Sequence, residues 1–200
     1  DGAAVELSTV EAGSGGFVIN GVSAGDSSGR SVSSAGDVNG DGFDDLIIGA
    51  NGDDPNGSFS GASFVVFGKA DGAAVELSDI ELGTSEGGFV INGVAEFDRS
   101  GFSVSSAGDV NGDGLDDLIV GAKFDAPNGP YSGASFVVFG KSGGAVVELS
   151  EIESSTNAGG FVINGVSPSD FSGGSVSSAG DVNGDGLADL IIGAKNDDPN

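Results

Sequence analysis

The chain contains no Cys, His, Met or Trp in its 200 residues. Disulfides, thiolate sites and histidine-ligated zinc or haem are therefore excluded within it. Cations are nearly as scarce: six Lys and Arg stand against 31 Asp and Glu, a formal net charge of −25. A phosphate backbone needs clustered Lys and Arg, so no nucleic-acid partner is expected. An anionic membrane surface is disfavoured for the same reason. No apolar run approaches the ~20 residues of a membrane span, so no membrane insertion is expected. Pro is too rare, at five residues, for a proline-rich disordered chain. Long helical periodicity is also missing; the best helix candidates are the brief VELSTVE, VELSDIE and VELSEIE segments. The chain opens at Asp1 without Met or a signal peptide, so its natural N-terminus is expected to lie upstream.

What the chain has in excess is Gly, at 39 residues, punctuating short apolar runs. That pattern indicates many strands and turns. The runs repeat. Asp37, Asp109 and Asp181 stand 72 residues apart, as do the GGFVINGV segments that begin at Gly15, Gly87 and Gly159. One array is therefore expected over 1–200, with units 1–70, 71–142 and 143–200, the last incomplete.

Each unit offers four apolar runs of strand length. In the middle unit these are SVSSAGDV (103–110), DDLIVGA (116–122), ASFVVFG (134–140) and GFVINGV (160–166). Four short strands per tandem unit suit a propeller blade better than a solenoid rung. The first strand is built of small residues, which suits a position where blades crowd around an axis. The second and third are apolar on both faces, as strands sandwiched between neighbouring blades should be. The expected fold is all-β, with blades of four antiparallel strands. Eleven such strands do not close a ring of ~4–8 four-stranded blades. The chain is then an incomplete propeller or fragment, or neighbouring chains supply the further blades.

An acidic loop, DVNGDGFDD at 37–45, follows the first strand of the unit and returns at 109–117 and 181–189. Oxygen-bearing side chains fall at positions one, three, five and nine: Asp37, Asn39, Asp41 and Asp45. Gly42 at position six permits a sharp turn, and the carbonyl of Phe43 at position seven adds a fifth oxygen. Water or a bidentate carboxylate would complete the ~6–8 oxygens that calcium takes. Facing carboxylates repel unless a cation lies between them. An EF-hand needs Glu at position twelve, where this chain has Ile48, Val120 and Ile192. Magnesium prefers a tight octahedron with several waters. An acidic hairpin without metal is the bland alternative. Position eight precedes the last ligand and is expected to point away from the ion, so Ala188 should cost the third loop nothing.

The pattern SVSSAGDVNGDGxDDLIxGA followed by SGASFVVFG resembles the FG-GAP repeat of integrin-alpha-type β-propellers and their bacterial relatives. The resemblance covers essentially the whole chain. It implies a propeller, usually seven-bladed, with calcium between the first and second strands of a blade, about one ion per repeat. It carries the ligand set of the first loop to Asp109, Asn111, Asp113, Leu115 (carbonyl) and Asp117. In the third loop the set becomes Asp181, Asn183, Asp185, Leu187 (carbonyl) and Asp189. One departure concerns the Phe-Gly pair of the repeat's name, replaced here by Gly29-Arg30, Gly101-Phe102 and Gly173-Gly174. That departure loosens the match to integrins proper and points to a bacterial cousin.

Three functions stay open at this stage. The first is a calcium-binding module for adhesion or for binding a protein or glycan ligand, outside the cell or at its surface. In the resembled family, ligands meet the loops from strand four to one and from strand two to three. Here those loops differ between copies and carry Arg30, Phe97, Arg99, Phe102, Lys123, Phe124 and Phe171. The second is an architectural repeat forming a surface layer, stalk or filament. The third is a carbohydrate-binding or hydrolase-associated propeller. With no His or Cys to act as base or nucleophile, catalysis is not expected, although a carboxylate pair of the glycosidase kind remains open.

Overall fold

A computed structural model of the chain describes residues 6–156 and 159–197. Val5 of the first VELSTVE segment and Asp198 of the KNDD loop lie outside the described residues.

Each small-residue segment, SVSSAG, forms the first strand of a blade: β2 (Ser31–Gly36), β7 (Ser103–Gly108) and β12 (Ser172–Gly180). The DLIxGA segments form β3 (Asp45–Ala50), β8 (Asp117–Ala122) and β13 (Asp189–Ala194). The ASFVV segments form β4 (Ala62–Val66) and β9 (Ala134–Val138), and the xVIN segments form β1 (Ile19–Asn20), β6 (Gly88–Asn92) and β11 (Gly160–Asn164). The first blade is the antiparallel sheet β2-β3-β4-β6, the second is β7-β8-β9-β11, and the third contributes the pair β12-β13. This is an all-β array of propeller blades, open rather than closed into a ring.

The inner strands pack side by side, β7 lying against both β2 and β12. Only Ser, Gly, Ala and Val are small enough for that approach. Further out, successive residues of β4 point to opposite faces, and both faces are covered. Phe64 and Val66 join a cluster with Ile48, Leu77 and Ile80, whereas Val65 joins Phe89, Leu118 and Phe136 between the first and second blades. A fully buried aromatic of this kind contributes about 1.5–3 kcal/mol, so the interblade core is the main cohesive element. Gly61, at φ +79°, lets the blades meet: a Cβ there would lie 2.1 Å from the Ser100 carbonyl oxygen.

The VELS segments divide in a way periodicity does not reveal. Their Val-Glu dipeptides form two further strands, β5 (Val75–Glu76) and β10 (Val147–Glu148). The helices are α1 (Leu7–Glu11), α2 (Leu77–Glu81) and α3 (Leu149–Glu153). The described residues thus form two strands beyond the eleven expected. β5 pairs in parallel with β1, and β10 with β6, so each connection reaches back to the outer strand of the preceding blade. Asn20 and Asn92 fix the register by donating to Glu76 (2.6 Å) and Glu148 (2.8 Å). A two-residue strand has no period of its own; the tertiary pairing makes it. The second and third helices each bury two side chains at i, i+3 spacing, Leu77 with Ile80 and Leu149 with Ile152, whereas α1 buries none.

Candidate functional site

The acidic loops fold as nested turns. In the first, Asp37 accepts the backbone N–H groups of Gly40 (2.8 Å), Asp41 (3.1 Å) and Gly42 (2.9 Å). Asn39 Oδ1 accepts the Asp41 N–H, and Asp41 Oδ1 accepts the Phe43 N–H. Asp45 is fully buried and accepts from Gly68 (2.7 Å) and Val38 (3.0 Å), which ties the loop to the strand ends beneath it. Burial pushes its carboxyl up, the Gly68 and Val38 hydrogen bonds oppose this, and the Asp41 and Asp37 charges add to the rise. The second loop repeats the arrangement through Asp109, Asn111, Asp113 and Asp117. The third keeps the turn bonds of Asp181, Asn183 and Asp185 and the Val182 bond to Asp189, but Asn183 Nδ2 donates to Asp189 (3.2 Å), where Asn39 and Asn111 donate to Asp41 and Asp113.

Positions one, three and five of each loop thus hold the loop's own N–H groups, and position nine holds the N–H of position two. Among the described residues, however, no three carboxylates converge closely enough to form a ready cation cage. Their oxygens bond the loop's own N–H groups instead. Gly42, Gly114 and Gly186 take positive φ of 88–92°, which makes the turn at position six. An all-oxygen donor set centred on such a turn has the hard-ligand chemistry of calcium rather than of a softer metal.

At the other end of the blades, two sets of loops meet. The inbound loops lead into β2, β7 and β12; the cross loops follow β3, β8 and β13. A backbone ladder joins them: Phe97 N–H donates to Ser58 O (2.9 Å), Arg99 to Phe59 (3.0 Å) and Ser100 to Ser60 (2.9 Å). One repeat later, Phe171 N–H donates to Tyr131 O (3.0 Å) and Ser172 to Ser132 (3.0 Å). These ladders bring side chains from distant positions together. The Arg99 guanidinium lies 4.7 Å from the Phe59 ring centre, and Lys123 Nζ 3.4 Å from that of Phe102. Tyr131 stacks on Phe171, with ring centres 5.9 Å apart. Phe124 meets Phe102, Tyr131 and Phe171 edge-on.

The FG-GAP repeat model matches residues 28–66, 100–138 and 172–200, more than half of the chain. The chain belongs to the FG-GAP repeat family. Among FG-GAP relatives, integrin alpha-PS2 of Drosophila melanogaster is 32% identical over 189 residues, covering 91% of this chain and 12% of its own length. Integrin alpha-5 of Xenopus laevis is 31% identical over 167 residues, covering 80% of this chain and 14% of its own. Integrin alpha-E of Mus musculus is 36% identical over 101 residues, 48% of this chain and 8% of its own. The chain therefore spans about an eighth of the length of the first two.

Two positions of the FG-GAP loop do more than the spacing indicates. At position eight, Asp116 does point out of its own loop, but it is not idle: its Oδ2 accepts the backbone N–H of Asp37 in the preceding blade (2.9 Å). Ala188 makes no such bond; only its N–H reaches back, to Asp109 O (3.0 Å). The third copy therefore loses a side-chain link between blades. At position seven, Leu115 lies over Gly40 and Leu187 over Gly112, so these side chains pack between successive FG-GAP loops. Phe43 is exposed.

Of the loop residues that differ between copies, Arg30, Arg99, Phe102, Lys123, Phe124 and Phe171 gather on one face, with Phe97 stacked on Phe59 beside them (6.3 Å). Phe59, Tyr131 and Lys195 complete the group. A search for differences between the copies passes over these three because Phe59 and Tyr131 are both aromatic at one repeat position and Lys195 repeats Lys123. A buried acidic pair lies beneath in the second blade. Burial and the nearby Asp125 charge push the Asp98 carboxyl up to about 7, and burial pushes Asp125 up to about 6. Burial likewise pushes Asp53, the first-blade counterpart of Asp125, up to about 6. Asp53 Oδ2 and Asp125 Oδ2 are buried without a hydrogen-bond partner among the described residues.

Proposed function

We propose that this chain is part of an extracellular or cell-surface binding propeller whose loops are stiffened by calcium, one ion per repeat, and which is not an enzyme. Units 1–70, 71–142 and 143–200 act as one array. The observation that carries the binding reading is the gathering of the copy-specific residues on a single face. Loop drift alone would scatter substitutions over every loop, whereas the large and cationic ones here meet. Asp37, Asn39, Asp41, Asp45 and the Phe43 carbonyl would hold the first ion, and the matching sets at 109–117 and 181–189 the other two. Calcium supplies positive charge that offsets carboxylate repulsion and rigidifies the turn; it takes no part in bond chemistry.

Several features support calcium: the oxygen-only donors, the turn at position six, and three copies in one register. Extracellular calcium modules bind at ~10⁻⁴–10⁻³ M, which suits a location outside the cell. The experiment is a thermal melt with added calcium and with chelator. A ligand of the folded state raises the midpoint, so chelation should lower it; superimposable melts would remove calcium from the proposal. The near-identity of the three acidic loops also favours a second reading, an architectural array in a layer, stalk or filament. Electron microscopy of concentrated protein in calcium distinguishes the two: ordered polymers support the second reading and dispersed particles the first.

A further inference from the structure

Inbound and cross loops also meet below the surface, at a turn that recurs in all three units as Asp26-Ser27-Ser28, Asp98-Arg99-Ser100 and Asp170-Phe171-Ser172. Its central residue is left-handed each time, at φ 58°, 54° and 54°. The Asp carbonyl accepts a cross-loop N–H, from Gly52 (3.0 Å), Phe124 (3.4 Å) and Asn196 (3.4 Å). A second Asp directly follows each of these donors: Asp53, Asp125 and Asp197. Every unit thus lays one carboxylate-bearing turn against another, at the end of the blade opposite the acidic loops.

The hydrogen bonds of these side chains leave the same atoms over in the first and second blades. Asp26 and Asp98 each use one oxygen on a nearby N–H, that of Ser23 (2.8 Å) and of Ala95 (3.0 Å). Asp53 and Asp125 each accept from the next residue, Asp54 (2.9 Å) and Ala126 (2.6 Å). What remains is Ser28 Oγ with Asp53 Oδ2 in the first blade, and Ser100 Oγ with Asp125 Oδ2 in the second. All four atoms are buried without a hydrogen-bond partner among the described residues. Asp53 is 8% exposed, Asp125 7% and Ser100 1%. Buried polar atoms are normally paired. An omission that recurs at the same two repeat positions belongs to the design of the blade.

Among the described residues no Lys or Arg pairs with these carboxylates. Arg99, inside the turn itself, places its guanidinium over the Phe59 ring instead (4.7 Å). The surroundings are acidic. Burial raises the Asp98 carboxyl, and the charges of Asp125 and Glu153 add to the rise. Burial likewise raises Asp53, with the charges of Asp26, Glu81 and Asp54 adding to it. The atoms left over are all oxygens, the donors of a hard cation.

We infer that each of these turn pairs holds a divalent cation of the calcium kind between its two carboxylates and its Ser hydroxyl. The ligands are Asp26, Asp53 and Ser28 in the first blade, and Asp98, Asp125 and Ser100 in the second. Water completes the ~6–8 oxygens that calcium takes. No third carboxylate joins either pair closely enough to complete a cage, so two serve each ion, against the three assigned to an acidic loop. Calcium affinity follows the count of ligand charges, and these sites therefore fill after the loops. They stand or fall independently of calcium in the loops. An ion here pins the inbound turn to the cross turn, so that each blade is clamped at both ends.

The test compares the parent with the double variant Asp98→Asn, Asp125→Asn, which keeps the acceptors for the Ala95 and Ala126 N–H groups. Both are melted at about pH 8 in chelator and in about 10 mM calcium, with sodium chloride equalising the ionic strength. In chelator the variant should melt a few degrees above the parent, because it lacks the buried repulsion. In calcium the order should reverse, since only the parent gains an ion at that joint. Equilibrium dialysis in the same calcium should find one ion fewer on the variant. The dialysis is repeated with Asp41→Ala, Asp113→Ala and Asp185→Ala added to both chains, which disables the acidic loops. The same one-ion difference there places the ion at the turn pair. An advantage of the double variant that is equal in both buffers means that water or a shared proton joins these oxygens, and overturns the inference. Equal ion counts overturn it too. Loop-disabled chains that bind no calcium at all would remove the turn-pair ions while leaving calcium in the acidic loops.

Discussion

The carboxylate of Asp116 accepts the backbone N–H of Asp37, 2.9 Å away and 79 positions earlier in the chain, and so joins the acidic loops of two successive blades. The fit is close: a Cβ on Gly36 would lie 2.1 Å from Asp116 Oδ2. The corresponding joint between the second and third blades ends in Ala188 and has no such bond. The three loops look interchangeable, but the joints between them are not.

That asymmetry sets the first prediction. Asp116→Ala removes a charge-assisted bond and should cost about 1.5–3 kcal/mol, read as a lower midpoint in urea or heat. Asp44→Ala, at the same loop position but exposed and without a hydrogen bond among the described residues, should change stability by less than about 0.5 kcal/mol. Ala188→Asp should stabilise the second joint by about 0.5–1.5 kcal/mol. Equal effects of Asp116→Ala and Asp44→Ala would refute the joint.

Positions five and nine should separate cation binding from folding. Asp41 serves the turn alone, so Asp41→Ala should reduce the calcium stoichiometry measured by calorimetry from three ions to two, with a small change in the chelated melt. Asp45 holds two backbone N–H groups from inside the blade. Asp45→Ala should destabilise the chain even in chelator, by about 2 kcal/mol or more.

The buried carboxylates give a pH dependence of definite sign. The Asp98 carboxyl stands at about 7 and those of Asp53 and Asp125 at about 6, against an ordinary value of 3.8. Over that interval the folded chain binds more protons than the unfolded one, so stability falls as pH rises. In chelator, the melting temperature should therefore drop between about pH 4 and about pH 7 and level off above. Asp98→Asn keeps the acceptor for the Ala95 N–H while removing the charge. It should flatten the slope and raise the midpoint near pH 8 by a few degrees. A slope unchanged in Asp98→Asn would show that this group does not set it.

Backbone approach between blades gives the last prediction. Gly61→Ala places a Cβ against the Ser100 carbonyl at a left-handed φ, and should cost more than about 2 kcal/mol. Gly42→Ala, whose φ is +88° but whose Cβ would meet nothing within 4 Å, should cost only its backbone strain, about 1–2 kcal/mol. Denaturant melts of the two variants test the ranking.

Much of this was legible in the residues because the repeat multiplies weak signals. A lone SVSSAG says little, but three at one spacing mark the crowded inner strand, and β2, β7 and β12 occupy it. The two-faced apolar run ASFVV announces a strand covered on both sides. The dipeptides Val75–Glu76 and Val147–Glu148 were not legible, since only the neighbouring blade makes them strands. The role of Asp116 was hidden for the same reason: its partner is remote in sequence and is a backbone group. For the cationic face, comparing the copies picked out Arg30, Phe97, Arg99, Phe102, Lys123, Phe124 and Phe171. That comparison could not show that Phe59, Tyr131 and Lys195 stand beside them, because the ladder between inbound and cross loops sets that neighbourhood.

The parallel pairing of β10 with β6, and of β5 with β1, bears on how the blade edges are covered. The outer strand of a blade would otherwise present unpaired amides and carbonyls, an open invitation to strands of other molecules. Here two residues from the following repeat lie along that rim, and a helix turns the chain away at once. Protection is thus lent forward to back along the chain. A blade is guarded against sheet-to-sheet aggregation only while its successor stays docked, so loosening one repeat bares the rim of the one before it.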